Sequence, residues 1–183
     1  MTAVALLVSG PPASGKTTLA AVLARRLGAC LLDLDTVTGA LTESIGKLVG
    51  SDDLDSPALT GDVRAARYAC LLAAAEDNVR IGMPVVLVAP FTAERTTPGA
   101  WEPVRDRLIA AGGRPHLVWL RVSRDELVRR LRARGAARDA AKLADPEAFL
   151  TSHSVTAPVV PHVAVDAADD VSIQMATVLT AVT

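Results

Sequence analysis

The sequence predicts a doubly wound α/β sandwich, a parallel sheet covered by helices on both faces. Three observations predict it. Five short apolar runs, several of them valine-rich, recur along the chain, as strands buried on both faces require. Segments of helical character fill the intervals between them. Each interval exceeds the dozen or so residues that a crossover between parallel strands needs.

The first run, residues 4–9, is apolar without alternation and breaks abruptly at "GPPASGKTT". Beyond the break, Leu19, Val22, Leu23 and Leu27 recur at helical spacing and predict the first helix. The second strand is expected over 29–34, and "GSDDLDSP" at 50–57 reads as a solvated loop. Over 62–80, Tyr68, Leu71, Leu72 and Ala75 fall on one helical stripe. The third strand is expected over 84–89, with "TAERTTPG" at 92–99 a further loop. The fourth is expected over 116–122, beginning after Pro115. Ser123-Arg124-Asp125-Glu126 then has the form of a capping box, and Gly135 supplies the stop of the helix it opens. The fifth strand is expected over 162–166.

At 183 residues and 50% apolar, the chain is expected to form one domain, 1–183. A net charge of −1 leaves no global attraction for nucleic acid or an anionic membrane, so an anion must be held by a local site. Two Trp, one Tyr and two Phe offer little for base stacking, which weighs against a nucleic-acid partner. Cys30 and Cys70 lie in apolar surroundings without metal-ligand spacing and are expected in the core of a protein from a reducing compartment. The opening run lacks a basic flank, and no run approaches the roughly 20 apolar residues of a membrane span. The expected location is therefore the cytoplasm. His153 and His162 have no ligand-like spacing and are expected to be structural.

Residues Gly10-Pro11-Pro12-Ala13-Ser14-Gly15-Lys16-Thr17 match G-x-x-x-x-G-K-[ST], placed after a strand and before a helix. Such a loop turns successive N–H groups into one concavity, and the helix that follows adds its positive end. The result is a nest for polyphosphate, with Lys16 reaching the β- and γ-phosphates and the Thr17 hydroxyl coordinating Mg²⁺. Asp33 and Asp35, two apart at the end of the second strand, are expected on one side of it, facing the crevice. One carboxylate would support Mg²⁺ through its water shell and the other would accept a proton from an attacking hydroxyl. Aspartate is also common where turns and helices begin, the alternative for both.

Five arginines crowd "RRLRARGAARD" at 129–139. Arg130 and Arg134 share a helical face, and Arg138 lies past the glycine. A run of this kind is either a solvated face or a set of cations for phosphate. Arg64 and Tyr68 lie one turn apart, and Phe91 follows the third strand.

The phosphate loop, Asp33-Leu34-Asp35 and the arginine-rich segment together resemble the small P-loop kinases of the nucleoside-monophosphate-kinase-like fold. That group includes shikimate and gluconate kinases and chloramphenicol phosphotransferase. The resemblance implies a three-layer P-loop NTPase sandwich with sheet order 2-3-1-4-5, ATP bound by residues 10–18 including Thr18, and a lid over about 124–145. In the lid Arg130, Arg134 and Arg138 would close on the phosphates. It further implies that Asp33 joins Thr17 on the metal side, and that Asp35 is base and acceptor anchor. An acceptor region over about 36–80 would include Arg64 and Tyr68, with Phe91 adjoining; apart from Arg64 and Arg67 it holds no obvious anion-binding cluster.

The implied activity is transfer of the γ-phosphoryl group of ATP to a hydroxyl of a small molecule, a metabolite or an antibiotic. The alternatives are a nucleoside or 5′-hydroxyl polynucleotide kinase and a non-catalytic, nucleotide-dependent regulator. Two departures narrow the field. The third strand ends without the Asp of motor ATPases, and "AKLAD" at 141–145 lacks the residue a guanine-specific [NT]-K-x-D stretch requires. The base site is expected between the lid and the loop near Asp166.

Overall fold

β1 (Ala3–Ser9) is buried along nearly its whole length, between β3 (Val85–Val88) and β4 (Gly113–Arg121). β2 (Cys30–Asp33) pairs with β3 and β5 (Val163–Asp166) with β4, giving a parallel sheet of order β2-β3-β1-β4-β5. This is the order implied by the resemblance. The structure is a computed structural model and describes residues 2–50, 61–136, 139–152 and 154–182.

Alternation along the strands divides the core in two. Ala5, Leu7, Leu87 and Leu117 face α3 (Asp62–Arg80) and α5 (Pro98–Ala110), against Tyr68, Leu71, Leu72, Trp101 and Leu108. Leu6, Val8, Val86 and Leu120 face α1 (Lys16–Leu27) and α9 (Val171–Val182), against Leu19, Leu23, Val178 and Val182. Each fully buried leucine contributes about 1.5–3 kcal/mol relative to exposure, so the sandwich holds the strand ends firmly for whatever is built on them. A third, smaller cluster joins α6 (Arg124–Arg134) to α8 (Pro146–Thr151) through Leu127, Leu131, Phe149 and Leu150, with Ala13 packed against it. The short α7 (Ala140–Ala144) lies between them.

Local signals account for most boundaries. The stripe expected over 62–80 is α3, with Tyr68, Leu71, Leu72 and Ala75 all buried. Ser123 caps α6 by accepting from the Glu126 N–H, and Gly135 at φ 59° ends it. Only half of the capping box forms, because the Glu126 carboxylate is taken by Arg129 and Arg130.

Several expectations are corrected. Residues 92–99 are not a loop: they hold α4 (Thr92–Thr96) and the start of α5, where Pro98 occupies the first turn that tolerates a missing N–H. β4 begins three residues before the expected His116 and passes through Pro115. β1 pairs from Gly113 onward whereas β5 pairs only with 118–121, so at Pro115 the strand has one neighbour and can spare a donor. β2 stops at Asp33 rather than Leu34, because the Asp33 carboxylate caps α2 (Leu34–Val49). Cys70 is exposed, on the face of α3 opposite its buried stripe, while Cys30 is half-buried against the core. Gly50 ends α2 at φ 69°, and the rest of the 50–57 loop lies outside the described residues, as does His153. His162 is exposed, its Nδ1 2.8 Å from the Val160 carbonyl. Among the described residues no helix is long and apolar enough to cross a membrane.

Candidate active site

The loop after β1 is built by two left-handed residues, Ala13 at φ 60° and Gly15 at φ 97°, which turn the chain back so that α1 can start at Lys16. Ser9 anchors its base by donating to the Pro90 carbonyl at 2.6 Å. Gly10 is required by close approach: a Cβ there would stand 2.6 Å from Ser14 Oγ and 3.2 Å from both Leu120 Cβ and the Leu120 carbonyl. Gly10→Ala is therefore expected to lower stability by about 1–3 kcal/mol, read as a fall in melting temperature, because the Leu120 backbone cannot yield. Ser14 is buried, and its Oγ has no hydrogen-bond partner among the described residues.

Lys16 Nζ donates to the carbonyls of Gly10 at 2.8 Å and Pro11 at 2.7 Å. Burial, and after it the neighbouring Arg134 cation, lower the Lys16 ammonium from 10.5 to about 8. Thr17 Oγ1 donates to Asp33 Oδ2 at 3.4 Å, and Asp33 Oδ1 accepts from the Asp35 N–H at 2.9 Å. Asp33 thus caps a helix and faces the phosphate loop at once. Asp35 sits in the first turn of α2, so the two carboxylates are not strand neighbours on one side, as the sequence suggested. The helix turn nonetheless brings both to the same cleft. Arg67, on α3, grips Asp35 Oδ1 at 2.6 Å and Thr38 Oγ1 at 2.8 Å.

The cleft, of about 540 Å³, is lined by residues 12–18, 33–35 and 88–90 on one side and by Arg130, Ala133, Arg134, Asp139 and Lys142 on the other. Eleven residues of the sequence-predicted site therefore line it: the loop from Pro12 to Thr18 supplies seven, and Asp33, Asp35, Arg130 and Arg134 the other four, while Gly10 and Pro11 meet Lys16 through their carbonyls. Arg130 is a brace: it donates to Glu126 at 2.5 Å, to the Ser14 carbonyl at 3.2 Å and to the Ala167 carbonyl at 2.8 Å, tying the phosphate loop to the loop after β5. Arg134 is held by Asp139 through two hydrogen bonds. Arg138 lies outside the described residues.

The three acceptor-side candidates are placed differently. The Arg64 guanidinium lies over the Tyr68 ring, 5.2 Å from its centroid. Tyr68 accepts from the Phe91 N–H at 3.1 Å and meets the Phe91 ring edge-on at 5.8 Å. Phe91 is fully buried and offers no surface to a bound molecule, so its role is packing, and burial raises the Tyr68 hydroxyl to about 12. None of the three lines the cleft.

Sequence reasoning missed Arg95, Asp139 and the partnership of Arg67 with Asp35. Arg95 is fully buried, stacked on Trp119 at 4.6 Å and bonded to the carbonyls of Pro90 and Thr156. Nothing local in the sequence marked these.

Oxygen donors suit a hard cation, and the Thr17 hydroxyl beside the Asp33 carboxylate fits Mg²⁺. Among the described residues no group of three His, Cys, Asp or Glu forms a metal cluster, so any such ion would share its shell with phosphate oxygens and water.

Residues 6–159 match the sequence profile of the AAA domain family AAA_33. No curated protein sequence matches the chain. Among solved structures, it is similar to a gluconokinase from Sinorhizobium meliloti 1021, with 19% identity, a TM-score of 0.62 and coverage of 98% of this chain and 91% of that one. It is similar to the Mycobacterium tuberculosis APS kinase, solved with AMPPNP and APS, with 19% identity, a TM-score of 0.64 and coverage of 98% and 96%. A shikimate kinase from Aquifex aeolicus gives 13% identity, a TM-score of 0.57 and coverage of 97% and 94%. At these identities the likeness is one of fold, that of the small P-loop kinases.

Proposed function

Since the chain belongs to the AAA domain family and has the small P-loop kinase fold, we propose that it is an ATP-dependent phosphotransferase acting on a hydroxyl of a small molecule. One observation carries the reading: an exposed carboxylate, Asp35, lines the same cleft as the phosphate loop and its Lys16 ammonium.

The loop amides and Lys16 hold the β- and γ-phosphates, and Asp35 takes the acceptor hydroxyl. The acceptor oxygen forms a bond to the γ-phosphorus as the bond to the bridging oxygen of ADP breaks, and the hydroxyl proton passes to Asp35. Arg67, on α3, fixes the Asp35 carboxylate from the acceptor side. Mg²⁺, held through Thr17 and Asp33, would draw charge from the phosphate oxygens. Arg134 adds a cation from the lid segment over 124–145.

Incubation with labelled ATP and a panel of alcohols tests this. Label in a small molecule supports it; label on 5′-hydroxyl ends of nucleic acid, or no transfer beside tight binding, replaces it with one of the alternatives. Arg134→Ala should lower kcat at least about tenfold, since fixed cations stabilise the transferred group; a change under about twofold would mark an ordinary surface arginine.

The depressed Lys16 gives a pH signature. Between about 8 and 10.5 the unfolded chain carries more protons on this group than the folded one, so its contribution to stability rises with pH through that window. Polyphosphate favours the charged form and reverses the shift, so nucleotide binding at about pH 9 should take up close to one proton. Calorimetry in buffers of different ionisation heat reads that uptake, and Lys16→Ala should remove it.

A further inference from the structure

Asp139 is fully buried, and a buried carboxylate is retained only where it is paired and hydrogen-bonded. Its partner is Arg134, five residues earlier across the Gly135 stop. The Asp139 N–H donates to the Ala136 carbonyl at 2.8 Å. The carboxylate then meets one edge of the guanidinium, Oδ2 with Nε at 2.7 Å and Oδ1 with Nη2 at 2.6 Å. Lys142 Nζ is 3.9 Å from Oδ1. Arg134, Asp139 and Lys142 all line the cleft that holds Lys16 and Thr17.

A guanidinium carries five N–H donors in one plane, and a carboxylate on the Nε/Nη2 edge fixes that plane while leaving the Nη1 edge for a second anion. We infer that Asp139 is a positioning residue: it presents Arg134 to the terminal phosphate of a nucleoside triphosphate seated in the phosphate loop. The inference rests on the nucleotide-binding reading above and adds the residue that makes the site favour a triphosphate over a diphosphate.

Two effects of Asp139 oppose each other. Its charge repels an incoming phosphate, while its grip removes rotamer freedom that Arg134 would otherwise lose on binding. The carboxylate's charge is engaged by two hydrogen bonds from Arg134, so orientation prevails.

Calorimetric affinities for Mg·ATP and Mg·ADP, measured on wild type, Asp139→Asn, Asp139→Ala, Arg134→Ala and the Arg134→Ala/Asp139→Ala double variant, test it. Asp139→Ala should weaken ATP about tenfold, the scale of a charge-assisted contact, with ADP changed less than about twofold. Asp139→Asn keeps the volume and one acceptor and should fall between; it decides the matter if the alanine variant does not fold. The double variant should bind ATP no more weakly than Arg134→Ala alone, because Asp139 acts through that arginine. ATP binding as tight as wild type or tighter in both Asp139 variants, equal losses for ATP and ADP, or additive losses in the double variant would each overturn the inference. Wild type binding neither nucleotide would remove the underlying reading and this inference with it, an outcome distinct from a wild type that binds while Asp139 proves indifferent.

Discussion

Lys16→Ala is expected to reduce phosphoryl transfer from ATP by at least about 10³-fold, with the melting temperature little changed. The size follows from position. Lys16 opens α1 directly behind the left-handed Gly15, so its side chain rises from the floor of the loop that would hold the phosphates. Its Nζ already hydrogen-bonds to the Gly10 and Pro11 carbonyls, a posture that stiffens the loop and keeps the ammonium near its concavity. Burial there makes the cation costly, and that cost is recovered when phosphate oxygens face it. Alanine removes the one P-loop cation but no apolar packing, because Leu19, Ala20 and Leu23 carry the buried face of α1. Turnover by the variant at the wild-type rate would dissociate this loop from catalysis.

The second large effect is expected at Asp35. Asp35→Asn should lower kcat by on the order of 10² to 10⁴, the range for loss of a general base, with the KM for ATP nearly constant. Asparagine keeps the shape and an oxygen for Arg67 but cannot take the hydroxyl proton. Stability should change by less than about 1 kcal/mol, since the carboxylate is 63% exposed and its pair with Arg67 is largely solvated. Steady-state kinetics with both substrates varied separates the cases. A change confined to the ATP KM would place Asp35 on the nucleotide side and leave the base unassigned.

Much of this site was legible because its signals are local. The phosphate loop is eight consecutive residues whose glycines answer to steric demands met within the loop or just beside it, at Gly10 and Gly15. The stripe of α3 and the Gly135 stop of α6 are likewise set within a turn or two of the residues that show them. The Asp33/Asp35 pair was legible as chemistry but not as geometry. Whether a strand carries on past Asp33 or its carboxylate turns to cap a helix depends on a competition between pairing with β3 and bonding to the Asp35 N–H.

Asp35 and Arg67 are 32 residues apart, and no periodicity links them; they meet because α2 and α3 pack together beside β2. Arg95 lies in a stretch with the composition of a solvated turn, yet it is buried because the Trp119 ring and the carbonyls of Pro90 and Thr156 surround it. Asp139 stands among arginines and reads as one charge in a polar run, yet it is buried and holds Arg134 through two hydrogen bonds.

By itself, then, the sequence determined the layered α/β sandwich, the polyphosphate nest and the residue types available to act there, because apolar periodicity, glycine sterics and helix caps are settled among near neighbours. The tertiary structure alone decided which charges are paired, which cations are buried and which side chains face the cleft. Those outcomes depend on desolvation and on partners brought from distant segments by the order of the strands, and neither is written in any short stretch of chain.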